Sequence, residues 1–276
     1  MFEGRTLVIA TKHHKERAIA PVLEEALGVR CVVADDLDTD RLGTFTGEVE
    51  RTLDPLATAR EKCRRAIRAS GHDLAVASEG SFGPHPVMVF APGDDELLML
   101  VDRRNDLELV VREVSAETNF AAEEVATESA LLDFAAKAQF PEHALILREA
   151  RDSPRNIHKG ITDRARLLGI FHKRLGGRAV VETDMRAMYN PMRMQVIAAA
   201  TRKLVALAEA KCPACGMPGF RVTEVVPGLP CGLCGLPTNS PSRHVSKCRH
   251  CGHVEELRYP AGKKTEDPMY CEFCNP

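Results

Sequence analysis

From the amino terminus to about residue 210, apolar positions alternate between short unbroken β-type runs and stripes that recur every three or four residues. Thr6 to Ala10 (TLVIA) is short and unbroken, which predicts a buried strand. Ile19, Val22, Leu23, Ala26 and Leu27 then fall at i, i+3, i+4, i+7 and i+8, one apolar helix face, and Gly28 is placed to end it. Val29 to Ala34 predicts a second strand. Leu56, Ala59, Cys63, Ala66 and Ile67 predict a second helix, with Arg60, Lys62, Arg64, Arg65 and Arg68 mostly on its outer side. Leu74 to Ala77, Val87 to Phe90, Leu97 to Val101 and Leu107 to Val114 read as strands, the later ones as a meander. A helix near 121–138, a strand from His143 to Leu147, a helix around 161–175, the strand Ala179 to Val181 and a helix over 191–210 complete the pattern. Pro191 suits the first turn of that last helix. Such alternation predicts an α/β domain over residues 1–210, with a mixed central sheet flanked by helices.

Residues 211–276 break the rhythm. Their bulky hydrophobes, among them Phe220, Val222, Val225, Val226, Leu229, Leu257, Tyr259, Tyr270 and Phe273, are too few to bury a self-sufficient core. Eight of the chain's ten cysteines lie here instead, as four Cys-x-x-Cys pairs: Cys212/Cys215, Cys231/Cys234, Cys248/Cys251 and Cys271/Cys274. Fifteen residues separate Cys215 from Cys231 and nineteen separate Cys251 from Cys271, spacings that let two knuckles close on one ion as a zinc ribbon. Two structural Zn²⁺ ions are expected, the first pair joined with the second and the third with the fourth; spacing alone leaves an interleaved pairing open. A closed shell of four thiolates keeps no position for a substrate, so these ions are expected to hold the tail together. Metal binding of about 10 to 16 kcal/mol would supply the folding free energy that burial cannot. Gly216, Gly235 and Gly252 each follow a second cysteine, where a knuckle turn favours positive φ. His244, His250 and His253 lie among the knuckles and are read as exposed ribbon residues.

Charge narrows the setting. With a net charge of -2, 28% charged residues and no apolar run near the length of a membrane span, the chain is expected to be cytoplasmic, without a membrane partner. No apolar signal segment begins it, and Cys-x-x-Cys spacing in a reducing compartment suits metal better than disulfides. From Cys212 onward seven Lys or Arg face six acids, before the thiolates are counted. Nucleic acid is therefore a weakly supported partner for the tail.

Polar residues gather directly after several expected strands, where open α/β sheets form their ligand crevice. Thr11-Lys12-His13-His14-Lys15-Glu16 follows the first strand, and Ser78-Glu79-Gly80-Ser81-Phe82-Gly83 follows the Leu74 strand. Glu182-Thr183-Asp184-Met185-Arg186 leads on to Tyr189-Asn190-Pro191-Met192-Arg193, and Asn156-Ile157-His158-Lys159-Gly160 precedes a helix. Taken singly, these are ordinary solvated lysines, turn glutamates and ion pairs. Taken together they offer cations for phosphates, carboxylates for Mg²⁺ and no Ser-His-Asp relay, an inventory that suits phosphoanhydride chemistry.

Leu7-Val8-Ile9-Ala10-Thr11 followed by Lys15, the Ala59 to Ile67 helix carrying Lys62, and Ala75-Val76-Ala77-Ser78-Glu79-Gly80 resemble the inosine/xanthosine triphosphatases, which hydrolyse noncanonical purine nucleoside triphosphates. Asn156 to Gly160, Arg178 to Thr183 and Arg193 fall where that family places a lysine-rich turn, a strand and a helix-starting arginine. The likeness spans about residues 5–205 through short motifs. It implies that Lys15 holds the triphosphate, that Glu79 binds Mg²⁺ or prepares water, and that Lys159 and Arg193 contact phosphate or base. Lys12 stands where the family usually has Asn, Glu79 stands alone for an acidic pair, and the cysteine-rich tail has no counterpart there. The whole chain, with ETDMRAMYNPMRM followed by four knuckles, looks more like an uncharacterised bacterial family whose first domain has that fold.

The expectation is an Mg²⁺-dependent nucleotide phosphohydrolase, or a related nucleotide-binding enzyme, acting on a nucleoside triphosphate or another phosphoanhydride. Lys15, Glu79, Lys159, Asp184, Arg186 and Arg193 are its catalytic candidates, with Thr11, Lys12, Ser78, Gly80 and Glu182 around the ligand. The alternative is a non-catalytic nucleotide-sensing domain whose zinc ribbon docks protein or nucleic acid. In a third reading the ETDMR and YNPMR runs only anchor the last helix, Asn190 capping it and Asp184 pairing with Arg186 or Arg193.

Overall fold

A computed structural model describes residues 1–34, 54–151, 153 and 155–276. In it the unbroken run Thr6–Ala10 is a strand, β1, buried from Leu7 onward. It leads into α1 (Glu16–Leu27), ended by Gly28 at φ 64°, and then into β2 (Arg30–Val33), parallel to β1. α2 (Pro55–Ser70) starts behind Asp54, whose side chain accepts from the Ala57 N–H at 3.0 Å and so satisfies a first-turn donor. β3 (Leu74–Pro84), β4 (Pro92–Asp102) and β5 (Leu107–Ser115) follow as the expected meander. These strands form one five-stranded sheet in the order β2-β1-β3-β4-β5, parallel from β2 to β3 and antiparallel from β3 to β5. Ala59, Cys63, Ala66 and Ile67 of α2 pack on Val8, Ala10, Ala75, Ala77, Met99 and Val101. The alternate residues Leu7, Ile9, Leu74, Val76, Leu98 and Leu100 are buried as well, so the sheet is covered on both faces.

Val87 to Phe90, expected as a strand, belongs to the turn between β3 and β4, whose pairing ends at Pro84 opposite Pro92. Pro86 has no N–H for a ladder. His85 closes the turn instead: its N–H reaches the Ala91 carbonyl at 2.8 Å, and its Nδ1 accepts from the N–H groups of Val87 and Met88 at 3.2 and 3.0 Å. This leaves the apolar run in solvent, with Phe90 fully exposed.

The expected helix near 121–138 is two elements, β6 (Ala122–Val125) and α3 (Glu128–Lys137), with Thr127 Oγ1 accepting from the Ala130 N–H at 3.2 Å. β6 pairs with β9 (Ala179–Thr183), β9 with β7 (Leu145–Arg148), and β7 with β8 (His158–Ile161), antiparallel throughout. The central sheet read from the sequence is thus accompanied by a second, four-stranded one. Leu145, Leu147 and Val181 join Leu131 and Phe134 of α3 and Leu167 and Phe171 of α4 (Arg164–Lys173) in its core. A 3-10 turn, Ala187–Tyr189, then introduces α5 (Pro191–Glu209).

By contacts the chain divides into Met1–Val205 and Ala206–Pro276. The second unit holds β10 (Arg221–Pro227), β11 (Pro241–Lys247) and β12 (Val254–Arg258), antiparallel in that order. Among the described residues no helix is long and apolar enough to cross a membrane. Phe171 is 1% exposed in the core of the second sheet, so Phe171→Ala is expected to destabilise the first unit by about 3 to 5 kcal/mol, measured by denaturant unfolding.

Candidate functional site

The order β2-β1-β3 sends the chain from β1 to one side through α1 and returns it past β1 to the other through α2. Open α/β sheets form their ligand crevice at such a reversal, here the carboxyl ends of β1 and β3. β3 leaves β1 at Ala77, paired with Ala10, so Ser78, Glu79 and Gly80 stand at the crevice while Lys15 sits at the start of α1. Lys15 Nζ donates to Ser78 Oγ at 2.9 Å and lies 4.0 Å from Glu96 Oε2. Across the β3/β4 ladder Gly80 faces Glu96 and Phe82 faces Asp94, which places both acids on the Ser78 side of the sheet. Arg193, from the first turn of α5, pairs through Nε with Glu96 Oε1 at 2.7 Å, donates through Nη1 to the Met185 carbonyl at 2.5 Å, and lies over the Phe82 ring at 5.0 Å. A side chain at Gly80 would collide with the Arg193 guanidinium and the Glu96 carboxylate, so this position needs glycine for space. Glu79 points to the opposite face, where Lys62 of α2 pairs with it at 2.5 Å.

Burial sets the protonation of this cluster. Lys15 is 8% exposed, and desolvation, opposed chiefly by the Glu96 carboxylate, brings its pKa down to about 8. Asp94 has no exposed surface and neither of its oxygens has a hydrogen-bond partner. Desolvation first, and then the neighbouring Glu96 charge, push it up to about 7.

Of the residues singled out from sequence, Lys15, Ser78, Gly80 and Arg193 therefore meet on one face at this place, while Glu79 stands on the other with Lys62. Thr11 is buried in the turn, its Oγ1 accepting from the His13 N–H at 3.4 Å, and Lys12 is exposed. Asp184 and Arg186 form a second group. The buried Asp184 carboxylate takes Arg186 Nη2 at 2.6 Å, Arg186 Nε at 2.9 Å and the Gly160 N–H at 2.9 Å, and Arg186 stacks on Tyr189 at 4.6 Å. Lys159 adjoins Gly160 on β8. Glu182 pairs with Arg148 at 2.9 Å, and desolvation raises its pKa. Asn190 accepts from the Arg193 N–H at 3.0 Å, so capping of the last helix and an Asp184–Arg186 ion pair are both present.

Glu79, Glu182 and Asp184, the acids expected to seat Mg²⁺, are each bound to a different cation and do not converge. They do not fit a protein-held Mg²⁺. Asp94 and Glu96 escaped the sequence reading because Pro92-Gly93-Asp94-Asp95-Glu96 looks like a loop before the apolar run. Their only signal was the two-residue spacing that continues the Leu98 and Leu100 face inward.

In the second unit the described residues gather two sets of four cysteines, Cys212/Cys215/Cys248/Cys251 and Cys231/Cys234/Cys271/Cys274. The sequential pairing is corrected: the knuckles interleave. A seven-residue strand is about 20 Å long, so knuckles at its two ends cannot share an ion. Antiparallel β10 and β11 bring Arg221 opposite Lys247 and so return the third knuckle to the first; β12 runs back toward the second. Sulfurs of different knuckles lie 3.7 to 3.8 Å apart. Tetrahedral zinc with bonds of about 2.3 Å separates its sulfurs by about 3.8 Å, so the residues fit the ion. Gly216, Gly235 and Gly252 have φ of 73°, 74° and 75°, as the knuckle turns require.

Residues 62–276 match a family described as a domain of unknown function, DUF6671, and the chain belongs to that family. No curated protein matches it.

Each set could hold one zinc ion. Cys212→Ser/Cys248→Ser is therefore expected to retain about one zinc per chain and Cys212→Ser/Cys231→Ser none, as read by metal analysis of the purified protein; sequential pairing would give the reverse. Asp94 gives a second prediction. Its folded pKa of about 7 lies above the ordinary 3.8, so the folded state binds the proton more tightly and stability falls as pH rises between these values. Asp94→Asn should raise Tm most at pH 8, less near pH 5 and little near pH 3, measured by thermal unfolding.

Proposed function

We propose that this chain binds a nucleoside triphosphate, or a related phosphoanhydride, at the crevice between β1 and β3 and hydrolyses it. The observation that carries the reading is the meeting of Lys15 and Arg193, from the starts of two different helices, on one face of the sheet at the carboxyl ends of two parallel strands, with Lys62 on the other face. Lys15 and Arg193 bind the phosphates, aided by the amino-terminal N–H groups of α1. Water attacks phosphorus, the bond to the leaving phosphate or pyrophosphate breaks, and Arg193 meets the charge that develops on the leaving oxygen. Positioning and electrostatics carry the rate in such a site. Mg²⁺ arrives on the substrate's phosphates, which commonly supply much of its coordination. The resemblance to inosine/xanthosine triphosphatases supplies the substrate class.

A second reading has its own support. The cations already face acids, Lys62 with Glu79 and Arg193 with Glu96, which suits a non-catalytic nucleotide sensor whose metal-bound tail docks a partner.

A panel of nucleoside triphosphates, with and without Mg²⁺, separates these readings through equilibrium binding and release of phosphate or pyrophosphate. Turnover of at least one is expected, lowered about 100-fold or more in Lys15→Ala. Binding without turnover selects the sensor, and absence of both removes both readings. The protonated ammonium is the form that holds phosphate, so affinity should fall as pH rises through about 8, where Lys15 loses its proton.

A further inference from the structure

Asp94 is the charged group of this crevice that the cation pairs leave unused. It lies on β4 opposite Phe82, with no exposed surface and no hydrogen bond to either oxygen. The neighbouring acids each hold a cation: Glu96 Oε1 is taken by Arg193 and Glu79 by Lys62, while Glu96 Oε2 lies 4.0 Å from Lys15 without a hydrogen bond. A buried carboxylate left without partners is costly, and a protein that retains one near two cations, Lys15 and Arg193, offers a ready acceptor to whatever enters. The charged groups that act on it are Glu96 and Asp95 on its own strand, Arg193 from α5 and Lys15 from the start of α1.

We propose that Asp94 is the proton acceptor for the hydrolytic water, a role that rests on the hydrolase reading above. The water oxygen forms a bond to phosphorus, and the bond from phosphorus to the bridging oxygen breaks. Its electron pair leaves with the phosphate or pyrophosphate, and one water proton passes to an Asp94 oxygen. No other reactant is needed to balance the step.

The environment suits the role chemically. An ordinary carboxylate is a weak base at neutral pH, whereas one raised to about 7 by burial and by Glu96 is basic while still substantially ionised. Lys15 and Arg193 oppose that rise. An incoming phosphate that engaged both cations would reduce their hold on the carboxylate and strengthen it as a base.

The test uses the full chain with Asp94→Asn, Asp94→Glu and Asp94→Ala, and a nucleotide that the unaltered protein hydrolyses. Asp94→Asn should lower kcat by about 100-fold or more while changing nucleotide affinity less than about threefold. The acid limb of the kcat profile near pH 7 should disappear with it. Added formate should restore part of the turnover of Asp94→Ala, a recovery that a purely structural role would not show. Unchanged kcat in Asp94→Asn, or a loss confined to affinity, overturns the assignment while leaving the hydrolase reading in place. Absence of turnover in the unaltered chain overturns both. Should Asp94→Asn not fold, the acid limb in Asp94→Glu and the formate response of Asp94→Ala decide: a displaced limb with rescue upholds the role, and an unmoved limb without rescue ends it.

Discussion

A guanidinium keeps its charge at any pH a protein meets, so burying Arg193 to 5% exposure obliges the surrounding chain to supply acceptors in fixed places. Glu96 supplies one from β4 and Met185 another from the segment after β9, while Asn190 accepts from the Arg193 backbone. Asn190 reaches on to Asn119 at 2.8 Å, ahead of β6. One side chain therefore joins the five-stranded sheet to the four-stranded one, and losing either acceptor would strand a buried charge. Gly80 has no room for a side chain because this pair occupies the space above it.

The same concentration of buried charge gives the crevice its chemical character. Lys15 and Asp94 are moved toward neutrality from opposite ends of the pH scale, both mainly by desolvation, and Glu96 influences both. Groups displaced in this way, beside one another and at a strand-order reversal, mark candidate functional sites more convincingly than the Asp184–Arg186 pair does. In that pair the two residues satisfy each other.

In the second unit, two four-cysteine sets that could hold metal stand where a hydrophobic core would be. Val222, Val225, Val254 and Leu257 remain exposed on two of its three strands, so little stability comes from apolar burial there. The sheet's task is to bring the first knuckle to the third and the second to the fourth.

Sequence alone determined what depends on neighbours along the chain: β1, the stripes of α1 and α2, Gly28 as a helix stop, Pro191 in a first turn, and the zinc-type knuckles. Each follows from residue spacing or a local backbone demand. Tertiary structure decided what depends on residues far apart. β6 is four residues, three of them exposed, and exists through its ladder with β9. Val87 to Phe90 carries strand composition without a strand partner. Knuckle pairing required strand direction, and the burial of Asp94 and Glu96 required knowing that a charged run lies inside a sheet near Arg193. Local free energy is written in adjacent residues, whereas the cost and use of a buried charge depend on what the rest of the chain places around it.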